Sequence, residues 1–171
     1  MKILAQPCNF CAIVIQDYFA SVNVTLMGGV PTGWRDLSRD SETDPAWAAV
    51  YRRFAVISPW TVGRYTSVGG LATVDNFLHK YIIPDKAAAD AAGADYLPVV
   101  FPGGSAHYEP RQPSQPFNRC PRDGGTFLWR QLWNALGVAK VDSEFASNLP
   151  LLDNRNRSKP TFRTKTLIVC T

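Results

Sequence analysis

The sequence has no apolar run that approaches the roughly 20 residues of a membrane-spanning helix. Near the N-terminus, the apolar patch from Cys11 to Ile15 covers only a few residues, and Gln6, Pro7 and Asn9 interrupt what precedes it. Residues 1–15 therefore make a poor signal peptide. We expect no membrane partner.

Side chains that bind metal ions are also scarce. The chain has two histidines, His79 and His107, which stand alone in the sequence. Cys8 and Cys11 have the CxxC spacing, but no second CxxC or paired histidines complete a four-ligand zinc set. No clear βαβ unit places this pair at a helix start, as a redox motif requires. We expect no metal, redox centre or cofactor.

Positive charge is in slight excess but is not gathered into one basic face. The formal net charge is +4, and five of the eighteen Lys and Arg residues lie in the final tail, at positions 155, 157, 159, 163 and 165. A nucleic-acid site needs a basic face with interleaved aromatic side chains. We therefore expect no nucleic-acid partner and rank that class of function last.

What the sequence does contain is the composition of a globular domain and a repeated order of strand, loop and helix. Its 171 residues are 46% hydrophobic and 19% charged, which suits one domain with a sizeable core. Apolar runs predict strands at 24–27, 54–57, 95–101 and from 138, and helical spacing predicts helices at about 45–53, 71–92 and 126–136. Repeated βα units indicate a parallel sheet.

Loops after the predicted strands are long and carry Trp, Arg, Tyr and His, whereas loops after helices are short. This asymmetry is typical of a (β/α)₈ barrel, whose active face lies at the carboxyl ends of the strands. We predict an α/β fold, a partial (β/α)₈ TIM barrel of about three to four βα units over residues 23–143. Residues 1–22, with a possible short strand at Cys11–Ile15, and the basic tail 144–171 are expected to be irregular. A gene fragment, a pseudogene or a shifted reading frame would explain these unmatched ends.

The stretch from Phe54 to Tyr65 changes abruptly from apolar to polar and aromatic. Its first four residues suit a buried strand, and Pro59 then ends any ladder because it has no N–H to donate. Side chains able to stack and to form hydrogen bonds follow at Ser58, Trp60, Thr61, Arg64 and Tyr65. This order indicates either one wall of a ligand site or an aromatic core cap with a local ion pair.

Five motifs in order resemble the glycoside hydrolases related to families 71 and 99, which include bacterial proteins of the xylosidase or arabinosidase type. They cover roughly residues 23–140 and favour the ligand-site interpretation of Trp60 and Arg64. The motifs are MGGVP at 27–31 with WR at 34–35, DPAW at 44–47, VISPWTVGRY at 56–65, YLPVVFPG at 96–103, and PR, GG and FLWRQ at 121–122, 124–125 and 127–131.

The resemblance implies a (β/α)₈ barrel that cleaves glycosidic bonds with two carboxylates. In the family an acidic segment resembling Asp-Glu-x-x-Glu-Gly-Thr is expected at the end of the strand that follows the Trp129-containing helix, but here only Asp142 and Glu144 follow. We interpret these two as non-catalytic and predict little or no hydrolysis. The substrate-binding residues carried over by motif position are Trp34 and Trp60 for stacking and Arg35, Arg64, Tyr65, His107 and Arg122 for hydrogen bonding.

Three functions thus stay open: a glycosidase, a non-catalytic carbohydrate-binding remnant, and a non-functional gene fragment. Calorimetry beside a reducing-sugar assay separates binding from turnover. The expected partner in the first two is a carbohydrate.

Three or four strands cannot close a barrel, so the sequence also predicts self-association through an open sheet edge. We expect the apparent mass from light scattering to rise with protein concentration. A monomer whose sharp thermal transition is independent of concentration would contradict this expectation.

Overall fold

The computed structural model describes residues 8–22, 24–105, 117–141 and 166–170. Within these ranges the chain combines helices with short strands. The helices are α1 (Cys8–Ser21), α2 (Trp47–Arg52), α3 (Ala72–Phe77), α4 (Ile83–Ala91) and α5 (Thr126–Leu132), with π-helical segments at Leu78–Ile82 and Trp133–Val138 and a 3₁₀ turn at Asp123–Gly125. The strands are β1 (Thr25–Val30), β2 (Val56–Pro59), β3 (Asp95–Tyr96) and β4 (Thr166–Cys170).

The strands form one small, open, parallel sheet in the order β3-β2-β1-β4. Met27 of β1 lies opposite Val56 of β2 and, on the other side, opposite Ile168 of β4. Strand β3 pairs with β2 through two residues only, and the amide of Leu97 extends this ladder by donating to the carbonyl of Ile57 at 2.9 Å. The prediction of an α/β fold with parallel strands is confirmed.

Glycine at position 28 allows β1 to pass close to a large buried side chain. Gly28 is buried on the same face of the strand as Leu26 and Val30. A Cβ atom at this position would lie 2.3 Å from Cδ2 of Phe54, which is itself buried. The absence of a side chain therefore lets the Phe54 ring reach the strand.

The predicted helix over 71–92 is continuous, but its middle, Leu78–Ile82, is a wider π-helical turn. The amide of Ile83 donates to the carbonyl of Leu78, a bond between residues five apart. Pro84 follows at the start of α4, where a missing N–H costs least. The helix therefore continues through the proline without ending there. The predicted end of this helix near residue 92 is confirmed: α4 ends at Ala91, Gly93 follows with φ +70°, and the Ala94 amide donates to the Ala89 carbonyl.

Three sequence predictions need correction. The patch Cys11–Ile15 lies in helix α1 and not in a strand. This helix contacts the rest of the chain through residues that follow the patch: Gln16 Nε2 donates to the Val50 carbonyl at 3.0 Å, and Phe19 packs on the core. The predicted strand 95–101 stops at Tyr96, two residues before Pro98.

The fourth strand is not at 138–141, because the preceding helix runs to Val138 and residues 139–141 are neither helix nor strand, with Lys140 at φ +49°. Val138 ends a π-helical segment, and the amide of Val141 donates to the Ala135 carbonyl. The fourth strand of the sheet is β4 instead, inside the tail that was expected to be irregular.

Within the core, one buried polar side chain links helix α5 to the segments that follow β2 and β3. Gln131 on α5 is buried, and its amide bonds the hydroxyl of Tyr65 and both backbone groups of Phe101. Tyr65 stacks on Phe77 with ring centroids 4.2 Å apart. The other apolar residues of this core include Val30, Tyr51, Ile57, Val74, Leu78, Ile82, Tyr96 and Phe127.

We expect Gly28→Ala to lower the free energy of unfolding by about 1–3 kcal/mol, because the new methyl group overpacks the Phe54 ring. Urea unfolding measures this change. Gly104→Ala is the matched control, since a Cβ there meets no atom within 4 Å. Equal stabilities of the two variants would contradict the close approach.

Candidate functional site

The candidate site lies at the carboxyl ends of β1 and β2, the edge at which open parallel sheets bind ligands. Two hydrogen bonds join the loops that leave these strands. The amide of Trp60 donates to the carbonyl of Val30 at 2.9 Å, and the hydroxyl of Thr32 donates to the carbonyl of Trp60 at 2.5 Å. The backbone of Trp60 is therefore fixed by β1 and the loop after it.

The side chain of Trp60 is free to meet a ligand, because 57% of the residue is exposed. Thr32, which holds the Trp60 carbonyl, also donates its amide to the carboxylate of Asp40 at 3.2 Å. The same carboxylate accepts from the Gly33 amide at 3.2 Å and forms an ion pair with Arg64. An exposed indole and a charged pair are thus connected through one threonine.

Asp40 is held as a carboxylate. Desolvation raises its pKa, but the hydrogen bonds from the amides of Thr32 and Gly33 and the charge of Arg64 outweigh that effect. The pKa of Asp40 consequently lies below its ordinary value. At neutral pH the group accepts hydrogen bonds and has no proton to give.

Trp34 and Arg35 leave the same loop in the direction of the core. Trp34 is fully buried, so the expectation that it stacks on a ligand is wrong in this structure. The Nε atom of Arg35 donates to Oδ1 of Asp85 on α4 at 2.8 Å. Arg52 donates to the carbonyl of Arg35 and lies over the Trp34 ring, 5.6 Å from its centroid. Together these four residues fasten the first loop to α4 and α2.

Asp85 is the most deeply buried of these charged groups, with 2% of the residue exposed. Burial raises the pKa of Asp85 from 3.8 to about 6, against the hydrogen bond and charge of Arg35 and a smaller lowering from Trp34. The indole nitrogen of Trp34 has no partner within strict hydrogen-bond geometry, although it lies close enough to lower that pKa. The Asp85 carboxyl is too enclosed to touch a ligand.

Tyr65 is also part of the core, so the proposed donor role of its hydroxyl needs correction. That hydroxyl donates to Oε1 of Gln131 at 2.7 Å, and burial raises the pKa of Tyr65. The ring is enclosed by Phe77, Phe101 and Phe127. Core contacts therefore occupy both the hydroxyl and the ring of Tyr65, and neither is available to a ligand.

The last two predicted residues are Arg122, which precedes α5, and His107, which lies outside the described ranges. Arg122 is exposed, and its carbonyl accepts from the Gly125 amide at the turn before α5. His107 lies outside the described residues, as do Asp142 and Glu144. Of the six predicted residues that the structure describes, Trp60 and Arg64 lie in the loop after β2 with exposed side-chain surface and are linked through Thr32 and Asp40.

Among the described ranges, no three His, Cys, Asp or Glu side chains converge as metal ligands. Cys11 is an exposed free thiol and Cys120 a buried one. In the same ranges no helix combines the length and apolar character needed to span a bilayer.

Asp40 and Asp85 organise the first loop, and the sequence analysis did not single out either. Asp85 follows a proline at the start of an Ala-rich helix, a position typical of an exposed acidic residue. Asp40 stands in a polar loop among other charged residues. Neither position carries a local signal of burial or of its distant arginine.

Asp85 makes the stability of the fold depend on pH. Its pKa is higher in the folded protein, at about 6, than the ordinary 3.8, so the folded state binds the proton more tightly. This contribution is fully present below pH 3.8 and is lost as the pH rises through 6. The difference between these two pKa values corresponds to roughly 3 kcal/mol in the free energy of unfolding.

We expect Asp85→Asn to remove this decline in the free energy of unfolding between pH 4 and pH 6, measured by urea unfolding at each pH. Asp90→Asn, on the exposed side of the same helix, is the control and should retain it. An unchanged slope in Asp85→Asn would show that the carboxyl titrates normally.

Comparison with known proteins adds no relative from which a function can be transferred. No protein-family model matches the chain, and no curated protein or solved structure matches it. The function must therefore be argued from the geometry of the strand ends.

Proposed function

We propose that this protein binds carbohydrate without hydrolysing it, as a partial (β/α)₈ relative of glycoside hydrolases. The observation that carries the proposal is the exposed indole of Trp60 after β2 together with the Arg64–Asp40 ion pair, which Thr32 joins to the Trp60 backbone. The family resemblance of residues 56–65 agrees with this placement. The parallel sheet, with its decorated loops after the strands, is compatible with part of such a barrel.

The chemistry of these groups suits a sugar. The face of an indole ring is electron-rich and attracts the C–H groups on the apolar face of a sugar ring. Arg64 carries several N–H donors, and the Asp40 carboxylate is an acceptor with more than one lone pair on each oxygen. Sugar hydroxyls both donate and accept hydrogen bonds, so a charged pair in the same loops as the stacking ring has the groups needed to bind them.

The carboxylates of this region support binding over catalysis. Glycoside hydrolysis needs one carboxylic acid that protonates the leaving oxygen and a second carboxylate across the bond. Asp40 is held ionised by amides and Arg64, and Asp85 is enclosed against Arg35. Neither of the two can act as the acid on a ligand that stacks on Trp60.

We expect Trp60→Ala to weaken binding of oligosaccharide at least tenfold, about 1.4 kcal/mol, because the stacking surface is lost. Calorimetric titration with xylohexaose, arabinohexaose and cellohexaose measures the affinity, and a reducing-sugar assay on the same mixtures measures turnover. Val68→Ala, another exposed apolar residue of the following loop, should leave the affinity unchanged.

Two results would contradict the proposal. If Trp60→Ala binds every one of these sugars as the parent protein does, Trp60 is not the binding surface. If reducing ends accumulate with the parent protein, the protein is a hydrolase whose catalytic groups lie elsewhere in the chain.

A further inference from the structure

Two tryptophans on one helix face stand exposed outside the site described above. Trp129 on α5 is 53% exposed, and Trp133, the first residue of the π-helical segment, is 62% exposed. They are four positions apart in the sequence, so they are neighbours about 6 Å apart along the helix. The opposite face is anchored by buried Phe127, Gln131 and Asn134. The two indoles therefore project from a fixed element.

A glycine lies beside each indole, again at a spacing of four residues. A Cβ atom on Gly137 would lie 3.3 Å from Cδ2 and Cε3 of Trp133 and 3.4 Å from Cε2. Three nearly equal distances place the Gly137 backbone against the face of the ring, so the opposite face is left to solvent. A Cβ on Gly125 would lie 3.8 Å from Cδ1 and 3.9 Å from Nε1 of Trp129.

We call the four residues Gly125, Trp129, Trp133 and Gly137 the Trp strip. Polar side chains stand at its two ends: Arg122 and Asp123 are exposed before it, Thr126 is exposed directly after Gly125, and Lys140 is exposed after it. Along its side, Arg130 makes a two-pronged ion pair with Asp75 at 2.8 and 2.6 Å. Val138 is the one aliphatic neighbour in this stretch with substantial exposure.

This surface differs from a typical docking face for another protein. Such faces have an apolar core of many side chains within a polar rim. The Trp strip has two flat rings, held by glycines, with polar groups directly at both ends. Flat rings with nearby donors and acceptors complement a ligand that is itself flat and apolar on its faces and polar around its edge.

We propose that the Trp strip binds an uncharged polysaccharide segment by stacking its sugar rings on Trp129 and Trp133. The inference rests on the proposed function in taking the ligand to be a carbohydrate, but it concerns different residues from the Trp60 site. The ring faces attract sugar C–H groups, and the polar residues at the ends bind hydroxyls. Because the strip itself carries no charge, binding there should depend little on salt.

The five tryptophans of the chain allow both sites to be followed in one experiment. Each indole N–H gives one signal in a ¹H–¹⁵N NMR spectrum of the full chain, assigned by single Trp→Phe substitutions. Titration with xylohexaose and cellohexaose should shift the signals of Trp129 and Trp133 together and saturably. The signal of fully buried Trp34 serves as the internal control.

The double variant Trp129→Ala, Trp133→Ala should weaken this part of the binding at least tenfold. Val138→Ala is the matched control, since it removes exposed apolar surface next to the strip and leaves both rings. Its affinity should equal that of the parent protein.

The indole signals that shift decide which of the two proposals stands. If the Trp60 signal shifts and those of Trp129 and Trp133 do not, the strip proposal is overturned and the proposed function stands. The reverse pattern retains the strip and removes the Trp60 assignment, and no shift at any indole removes both. Shifts of Trp129 and Trp133 on raising protein concentration without sugar would show self-association through the strip, which overturns the proposal. Shifts produced only by a single-stranded oligonucleotide, and lost in high salt, would overturn it in favour of nucleic-acid binding.

Discussion

The buried amide of Gln131 is the interaction on which the arrangement of this chain depends. Its oxygen accepts from the Tyr65 hydroxyl and the Phe101 amide, and its nitrogen donates to the carbonyls of Phe101 and Phe127. All four hydrogen-bonding positions of the amide are therefore used, which is what a buried polar group requires. Through it the loop after β2, the segment after β3 and helix α5 share one point. Because Gln131 turns one face of α5 toward the core, the opposite face, with Trp129 and Trp133, is exposed.

A second set of polar contacts arranges the loop after β1. Arg35 reaches inward to Asp85, whereas Asp40 reaches back to the amides of Thr32 and Gly33 and outward to Arg64. The buried pair carries a desolvation penalty that shows in the raised pKa of Asp85. The more exposed pair lies where a ligand can meet it. One loop thus contains both an anchor and a candidate binding group, and Thr32 joins them to the backbone of Trp60.

The sequence analysis succeeded where local pattern and burial coincide. Runs of apolar residues located β1 and β2, and Gly93 located the end of α4. It failed at Cys11–Ile15 because a short apolar run has no periodicity that separates a buried strand from a helix. It failed at 138–141 because the helix runs on to Val138, and the amides of Ala139 and Val141 then bond back to the carbonyls of Asn134 and Ala135 and not to a neighbouring strand. Within the candidate site, Trp60 and Arg64 lie at the strand ends as expected, but Trp34 and Tyr65 have the same aromatic character and are core.

The sequence by itself determined the class of fold, the order of strands and helices between residues 24 and 96, and the crowding of aromatic and basic side chains after β2. These follow from spacing and from the conformational limits of proline and glycine, which act over a few residues. Only the tertiary structure decided which tryptophans face solvent, which arginine is paired with a buried carboxylate, and which segment supplies the strand beside β1. Those outcomes depend on contacts such as Arg35 with Asp85, fifty residues apart, and Tyr65 with Gln131, sixty-six residues apart. Burial at such a distance is a property of the packed chain, since no local pattern encodes the partner that a side chain meets.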